Sequence, residues 1–393
     1  MKKQVSVEQL KFGVYVNELD RPWTDTPFMY QGFVIKTEAQ LQALKKYCKK
    51  VTIDTDKGSD VAPLNPFAGG ARGPSVLDTI KERVTYEEKV QVTAELPAAR
   101  LAQSKTTVAL NDVFGSVQAG KALDAPRVRE AVTNMTDSVV RNPDAMLLLT
   151  KMKESSSNTL DRAMGVSIYM ITFGRFLSLP REQINMLGML GLLQDVGKLR
   201  LPPALLTKKE PLNEAELELC KTHVAHSVAI LEETTGLPRE LPALAALHHE
   251  RLDGSGYPKG LTGPQIGLFG SMAGLIDSFD ALTEPKPYGQ TLAPAAALRV
   301  FYDERDSKFD GPLVEQFIQC IGTYPVGAIV ELHSSEIAIV IARNPRLKLF
   351  PRVMVILDMH RNKLKAPKII EQAGIKRTLP KGSIEIDTSE YFL

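Results

Sequence analysis

Hydrophobic residues recur at two different spacings along this chain, and the changes of spacing divide it into regions. In the first sixty residues, β-branched runs flank one stretch with helical spacing, Glu38 to Lys49. Two runs predict strands: Lys11 to Val16 and Val51 to Asp54. This pattern predicts a small α/β domain at residues 1–60.

Helical spacing then dominates most of the chain, from about Glu95 to Ile321. One amphipathic helix is predicted by four apolar positions: Leu110, Val113, Val117 and Leu123. A second helix runs from Val128 to Val140 and is followed by Asn142-Pro143-Asp144, a stop-and-cap signal. Four or five further helices follow, so we predict a helical domain at residues 95–325.

Turn and linker residues separate these regions. Gly, Pro, Asp and Ser dominate between about Thr55 and Gly73, so residues 61–94 are predicted to form a linker and connecting segment. After Pro325, β-branched runs bounded by turn residues return at three places: Ala328 to Leu332, Ile337 to Ile341 and Val353 to Leu357. These runs predict a small β unit at residues 326–393.

The composition sets limits on the function. The chain has 393 residues, of which 44% are hydrophobic and 24% charged, as in an ordinary soluble globular protein. Its net charge of +2 argues against a general nucleic-acid or anionic-membrane surface but allows a local basic pocket. Three scattered cysteines and the lack of a long apolar run predict a reduced, soluble, cytoplasmic protein without membrane insertion.

Candidate chemistry concentrates in acidic and histidine residues. An apolar run ends at Gln194 and is followed by Asp195 and then Lys198. The chain has six histidines, and an adjacent pair opens the segment from His248 to Pro258, which also contains two acids. Two further pairs have the i, i+3 spacing of one helical face: His223 with His226, and Asp277 with Asp280.

These residue types suit a metal site. Imidazole and carboxylate groups are usual ligands of Fe, Mn, Ni or Zn in hydrolytic sites, where the metal lowers the pKa of bound water. Each feature also has a structural interpretation, since a lone Asp often caps a helix and the run after Asp253 could be a turn. We expect His226 to be a packing or surface residue, and His333 and His360 to be structural.

The segment from His248 to Pro258 resembles the HHExxDGxGYP signature of HD-GYP domains, a subgroup of HD phosphohydrolases that hydrolyse cyclic di-GMP. The resemblance covers roughly Asn158 to Leu332 and includes four shorter segments: Lys198 to Pro202, Lys221 to Val224, Gly260 to Gly263 and Asp277 to Thr283. Residues Trp23 to Phe28 and Gln31 to Ile35 are similar to a small domain often fused ahead of HD-GYP modules. The resemblance implies a mainly α protein, in which an all-helical HD-type phosphohydrolase domain follows a small α/β accessory domain and precedes a small β unit.

The chain departs from the family pattern at two expected histidines. Family members carry His-Asp where this chain has Gln194-Asp195, and an upstream helix presents a metal-binding His before a Ser. Aligning on Val166 to Tyr169 places Arg162 at that upstream position, and no histidine precedes His223. A guanidinium has no lone pair for a metal. If it points inward it could neutralise carboxylates, and otherwise it is an ordinary exposed arginine.

The resemblance also implies how ligands would divide between two metal positions. One position would use the two missing histidines together with Asp195 and Asp277. The other would share Asp195 and take His223, His248 and His249, all of which are present. We therefore expect a divalent transition metal, Fe, Mn, Ni or Zn, with fewer ions than intact family members hold.

Catalytic and nucleotide-binding residues follow from the same resemblance. Asp195 and Lys198 are the expected catalytic residues. Phosphate contacts are expected from Lys198 and Lys286, and Gly289 stands where a further basic residue is usual. The signature adds three expected substrate-binding residues, of which the glycines allow close backbone approach: Gly254, Gly256 and Tyr257.

Three functions remain open for this chain. The first is a degenerate HD-GYP protein that binds cyclic di-GMP or a partner as a regulator and hydrolyses little or nothing. The second is an active metal-dependent cyclic di-GMP phosphodiesterase with an atypical metal site. The third is a purely structural module whose Gly-Tyr-Pro loop docks diguanylate cyclase-type proteins. We rank the first narrowly ahead, leave enzyme activity open, and include a homodimer among the possible arrangements.

Overall fold

The computed structural model describes most of the chain, which forms two compact units, Met1–Gly73 and Pro74–Leu393. The described residues are 2–7, 10–21, 23, 26–28, 32–58, 75–152, 159–285, 290–344, 347, 349–380 and 383–384. Within these ranges no helix is long and apolar enough to cross a membrane.

The first unit is a four-stranded antiparallel sheet with one helix. Its elements are β1 (Lys2–Ser6), β2 (Tyr15–Leu19), β3 (Phe33–Val34), α1 (Glu38–Tyr47) and β4 (Lys50–Asp54), with strand order β1-β4-β2-β3. Thr37 begins α1 with a capping box, because its hydroxyl accepts the Gln40 N–H and the Gln40 side chain accepts the Thr37 N–H. Leu44 on this helix packs with buried valines of the sheet.

The sequence predicts this unit only in part. The helix and the last strand are confirmed, but Lys11 to Val14 lies outside the strand and includes a turn, with Gly13 at φ 89°, so β2 begins at Tyr15. Phe12 extends the apolar pattern, although its side chain is 53% exposed in that turn. The pattern does not reveal β1, because Lys2 and Lys3 interrupt it.

The second unit is mainly helical. Its helices are α2 (Val92–Gln118), α3 (Ala125–Arg141), α4 (Pro143–Met152), α5 (Thr159–Phe176), α6 (Arg181–Leu193), α7 (Pro203–Leu206), α8 (Glu214–Lys221), α9 (His223–Glu233), α10 (Leu241–Ala245), α11 (Gly267–Thr283), α12 (Pro294–Asp303) and α13 (Gly311–Ile321). Short 3-10 turns lie at Val76–Thr79, Val196–Arg200 and Gly263–Gln265.

The expected helix count is wrong, since the described residues contain ten helices after α3 rather than four or five. Two of the extra helices, α7 and α10, are about a single turn, and Pro203 and Pro242 stand at their starts. The first predicted helix also ends earlier than expected. Gly120, at φ 66°, follows the C-terminus of α2. Leu123 therefore lies in the loop after α2, where its side chain is buried. The cap at Asn142 is confirmed, because its Oδ1 accepts the N–H groups of Asp144 and Ala145.

Helix α5 lies at the centre of the helical unit. Its residues from Ala163 to Gly174 are buried without a break, as expected for a helix surrounded by others. It approaches α6 so closely that a Cβ on Gly191 would lie 2.5 Å from Ser167 Cα. The Ser167 hydroxyl also donates to the Gly188 carbonyl across this contact, at 2.8 Å. This close approach places the C-terminal end of α6 against α5, where the candidate site lies.

The chain before α2 packs on the helical unit. The Ser75 hydroxyl donates to Asp310, Val84 N–H donates to Ser178, and the Tyr86 hydroxyl donates to the Leu179 carbonyl. Residues 75–91 therefore lie against the helices rather than crossing open solvent.

The chain ends in a five-stranded antiparallel sheet. Its strands are β5 (Ile329–Leu332), β6 (Ile337–Ala342), β7 (Arg352–Leu357), β8 (Lys363–Ile370) and β9 (Ile375–Leu379), in the order β8-β7-β6-β5-β9. The three predicted strands are confirmed. The two edge strands are not predicted, because Lys, Arg and Pro interrupt their apolar pattern.

Alternate residues of β6 face two different cores. Ile337 and Ile339 pack with the helical unit, while Ala338 and Val340 belong to a separate cluster of the sheet. The sheet therefore packs on the helices and does not stand as an isolated unit. The architecture expected from the sequence is confirmed: a mainly helical protein with a small N-terminal α/β region and C-terminal strands.

Candidate metal centre

Four predicted ligands converge at one place in the helical unit. The ligand atoms of Asp195, His223, His248 and His249 all lie within 4.8 Å of one another, and we call these four residues the histidine half of the site. They come from distant parts of the sequence: the end of α6, the start of α9 and the turn after α10. The close packing of these elements brings them together.

Three acceptor atoms meet at the centre of the histidine half. Asp195 Oδ1 lies 3.2 Å from His223 Nε2 and 3.5 Å from His248 Nε2, and the two Nε2 atoms are 3.3 Å apart. His223 Nδ1 donates to the Cys220 carbonyl and His248 Nδ1 to the Ala245 carbonyl, each at 2.7 Å. Since a carbonyl only accepts, each Nδ1 carries a proton, and in the tautomer with the proton on Nδ1 alone each ring directs an Nε2 lone pair at Asp195.

This arrangement fits a bound cation. Among the described residues, the buried Asp195 Oδ1 has no hydrogen-bond donor when both rings are neutral. Buried acceptors without a donor or cation are costly, by about 1–3 kcal/mol each. Imidazole and carboxylate groups at this spacing suit a divalent transition metal. The donor set therefore fits the metal that the sequence predicts.

His249 completes the histidine half and connects it to the signature loop. Its ring stacks on Tyr257, with centroids 4.5 Å apart and planes 25° from parallel. Burial and the neighbouring His248 hold the pKa of His249 well below its ordinary value, so the ring stays neutral. A neutral ring is the form that binds a metal.

Lys198 binds the outer oxygen of Asp195. Its Nζ lies 2.6 Å from Asp195 Oδ2. Burial alone would raise the pKa of Asp195, but Lys198 holds it well below its ordinary value. The carboxylate is therefore ionised, as a metal ligand must be. The ammonium has three N–H donors, so pairing with Asp195 leaves some for another acceptor.

A second group of charges adjoins the histidine half. Arg162 Nε donates to Asp280 Oδ2 at 3.0 Å, and Arg162 Nη2 lies 3.9 Å from Asp277 Oδ1. We call Arg162, Asp277 and Asp280 the arginine half. Asp277 links the two halves, because its other oxygen, Oδ2, lies 3.8 Å from His249 Nδ1. Of the two orientations considered for Arg162, the structure shows the inward one.

At the arginine half, the side chains differ from the ligands that an intact family site would offer. Burial alone would lower the pKa of Arg162, but Asp280, Asp277 and Asp195 raise it above its ordinary value. Asp277, a predicted ligand, lies outside the compact group of four and beside this guanidinium. Gln194 is buried next to Asp195, and both of its amide atoms lack a partner among the described residues.

The signature loop is held in place by two residues that the sequence analysis does not assign to the site. Both oxygens of the buried Glu250 accept backbone N–H groups, from Lys259 and Leu261, each at 2.8 Å. Arg251 donates to the His248 and Glu250 carbonyls and to the Ser278 hydroxyl. Both residues lie inside the signature, between the histidines and the glycines. This position was the sequence signal that could have identified them as site residues.

The glycines of the loop have distinct roles. A Cβ on Gly256 would lie 2.5 Å from Glu250 Cα, so only glycine fits there. Gly254 has φ 78°, a conformation that favours glycine. Tyr257 is half-buried, and burial together with Asp277 raises the pKa of its hydroxyl.

A buried ion pair extends the charge network beyond the predicted residues. Lys151 Nζ contacts Glu284 Oε1 and also lies over the Tyr169 ring, 4.9 Å from its centroid. Glu284 ends α11, the helix that carries Asp277 and Asp280. The spacing of these acids along one helical face was the sequence signal for this network.

The other candidates lie elsewhere. His226 packs beside Gly197, and His333 and His360 are exposed in the β unit, so none joins the four ligands. Lys286 and Gly289 lie outside the described residues.

Comparisons with known proteins match both parts of the chain. A family model described as "HD domain" matches residues 144–313, and one described as "Domain of unknown function (DUF3391)" matches residues 2–128. The chain is 32% identical over 376 residues to the cyclic di-GMP phosphodiesterase PA4108 of Pseudomonas aeruginosa. The alignment covers 95% of this chain and 89% of that protein.

Two more distant relatives are also phosphodiesterases of cyclic dinucleotides. Cyclic di-GMP phosphodiesterase PdeB of Borreliella burgdorferi is 28% identical, over 61% of this chain and 65% of its own length. The 3'3'-cGAMP-specific phosphodiesterase 3 of Vibrio cholerae is 32% identical, over 46% of this chain and 39% of its own.

Proposed function

Because this chain belongs to the HD-GYP family of HD phosphohydrolases, we propose that it acts in cyclic di-GMP signalling as a nucleotide-binding regulator with little or no hydrolysis. The observation that carries this proposal is the contrast between the two halves of the site. The histidine half offers four ligands to a cation, whereas the arginine half holds a guanidinium beside Asp277 and Asp280.

The relatives support the choice of ligand. Cyclic di-GMP is named for the relative that aligns with 95% of the chain, while 3'3'-cGAMP is named for one that aligns with less than half. We therefore propose cyclic di-GMP as the ligand and treat the mixed dinucleotide as the competing probe.

We propose that Asp195, His223, His248 and His249 would hold one divalent transition metal. When bound, such a metal supplies positive charge against phosphate oxygens and lowers the pKa of bound water. The chain itself keeps the two Nε2 lone pairs directed at Asp195 through the Cys220 and Ala245 carbonyls. Iron, manganese, nickel and zinc all accept this ligand set.

Hydrolysis is expected to be slow because Arg162 and Gln194 stand where a second metal would need two histidines. Two-metal sites stabilise both the attacking and the leaving oxygen of an in-line displacement. Each ~1.4 kcal/mol of lost transition-state stabilisation costs about tenfold in rate. Gln194 offers only amide atoms, which are poor transition-metal ligands beside imidazole.

Nucleotide binding does not need that second metal. Lys198 is near the surface of the site, with 18% of its side chain exposed, and is our proposed phosphate contact there. Gly254 and Gly256 keep the loop free of side chains, and Tyr257 is proposed to contact the nucleotide beside His249. Lys286 remains a proposed contact from outside the described residues.

An active phosphodiesterase is the second candidate, and one observation favours it. The histidine half is complete and its histidines are held in the metal-binding tautomer. A single metal with Lys198 and Asp195 would then have to support hydrolysis.

The test is metal content, cyclic di-GMP affinity and cyclic di-GMP turnover measured on one sample of the full chain purified without chelators. About one metal per chain, with nucleotide binding and no linear product, is the expected result. Two or more metals with clear turnover would establish the phosphodiesterase instead. A chain that binds neither metal nor nucleotide would be the structural interaction module.

A further inference from the structure

We propose that Arg162 is the second cation of this site: its guanidinium neutralises Asp277 and Asp280 and binds a phosphate group of the nucleotide. This inference deepens the proposed function and rests on it for the identity of the nucleotide. It adds a phosphate-binding role to the charge neutralisation that the sequence already suggests for an inward-pointing Arg162.

The position of the guanidinium supports this role. Arg162 Nε is paired with Asp280 Oδ2 at 3.0 Å, whereas Nη2 is 3.9 Å from Asp277 Oδ1, beyond hydrogen-bond distance. The side chain is 37% exposed. The guanidinium therefore has nitrogen donors beyond the Nε that pairs with Asp280, and these remain for a ligand.

Asp277 ties this guanidinium to the metal-binding histidines. Its two oxygens lie 3.8 Å from His249 Nδ1 and 3.9 Å from Arg162 Nη2. A phosphodiester beside the histidine half is therefore within reach of the guanidinium. Arginine binds phosphate through parallel N–H groups with a fixed geometry, which lysine cannot reproduce.

Formal charges show why a protein cation suits this position. Within the two halves, Lys198 and the Lys151–Glu284 pair, the acidic side chains are Asp195, Asp277, Asp280 and Glu284, and the basic ones are Lys198, Arg162 and Lys151. Four negative and three positive charges leave a net charge of −1 among these seven residues. One divalent metal makes this set +1, which favours a phosphodiester, whereas a second would add two more positive charges beside the Arg162 guanidinium.

The first arm of the test measures cyclic di-GMP affinity by calorimetry on the full chain with one equivalent of Mn²⁺. Arg162→Gln should weaken binding at least about tenfold, as expected for losing a charged hydrogen bond. Arg162→Lys should recover only part of the loss. Arg299→Gln is the matched control, because Arg299 Nε pairs with Asp303 Oδ2 at 2.9 Å on the exposed face of α12. Equal affinity of wild type, Arg162→Gln and Arg299→Gln would overturn phosphate binding by Arg162.

The second arm measures thermal unfolding of the same proteins in chelator and in Mn²⁺, without nucleotide. Arg162→Gln should lower the unfolding temperature in chelator, and Mn²⁺ should raise it by more than it raises that of wild type. An equal Mn²⁺ shift in both proteins would overturn the assignment of Arg162 as a cation of the site.

The two arms separate this inference from the proposed function. A wild-type chain that binds neither cyclic di-GMP nor 3'3'-cGAMP would end the proposed function and the phosphate role together. The Mn²⁺ shift would still decide whether Arg162 serves as the second cation.

Discussion

The histidine half and the arginine half lie side by side yet solve the problem of buried charge in opposite ways. In the histidine half, two imidazole Nε2 atoms and a carboxylate oxygen converge, and with neutral rings none of the three has a donor among the described residues. In the arginine half, a guanidinium pairs with Asp280 and lies 3.9 Å from Asp277 Oδ1, close enough for charge attraction although not for a hydrogen bond. The first arrangement calls for an added cation, whereas the second contains its own. A metal site can therefore lose one position and keep part of its positive charge when a basic side chain replaces a ligand.

Removing the histidine pair should have the largest effect. His248→Ala with His249→Ala takes two of the four converging ligands, so any metal bound by the wild type should be lost completely. Elemental analysis of the purified variant measures this. The control is His333→Ala with His360→Ala, two exposed histidines of the β unit that should leave metal content unchanged. Unchanged metal content in the first variant would refute the ligand assignment.

Restoring the two missing histidines should have the next largest effect. Gln194→His with Arg162→His should raise metal content by about one equivalent and speed cyclic di-GMP hydrolysis by tenfold or more, because a second cation could then stabilise the leaving oxygen. Each single variant serves as a control and should fall short of the pair. If the folded double variant keeps the same metal content and remains inactive, lost ligands do not explain slow hydrolysis.

Breaking the buried ion pair behind the arginine half should affect stability and not metal content. Lys151→Met leaves Glu284 largely buried without its main partner, and we expect the free energy of unfolding to fall by about 3 kcal/mol. Urea denaturation in chelator measures it. Lys308→Met is the control, since its pair with Glu304 is more exposed and should cost no more than about 1 kcal/mol. Equal losses in the two variants would show that burial of the pair is unimportant.

Loosening the signature loop should have the smallest effect on stability. Glu250→Gln keeps one acceptor for the backbone N–H groups of Lys259 and Leu261 but loses the charge, at a cost of about 1 kcal/mol. Metal affinity should fall about tenfold, because the loop also positions His249. Competition with a metal-chelating dye measures that affinity, and Glu233→Gln on the exposed end of α9 is the control. A drop in affinity equal to that of the control would remove the loop from ligand positioning.

The sequence predicts parts of this protein that depend on local pattern. The capping residue Asn142 and the strand pattern of β6 are recognisable because each is set by neighbouring residues. The pattern does not reveal the two lysine-rich edge strands, since an edge strand has only one neighbour and tolerates charge. The pattern wrongly assigns Leu123 to a helix, because an apolar side chain can also reach the core from a loop.

The residues of the candidate site are therefore named by the sequence, whereas their charge states and orientations come from the fold. The resemblance to HD-GYP domains names the histidine pair and Asp195 as candidate ligands and Gln194 as the position of a missing one. It leaves open whether Arg162 points inward or outward, because both orientations are compatible with an isolated helix. Packing of α5 against α6 and α11 decides this by placing the guanidinium between Asp277 and Asp280. Coulomb attraction between groups more than a hundred residues apart in sequence exists only after tertiary packing has brought them within hydrogen-bond distance.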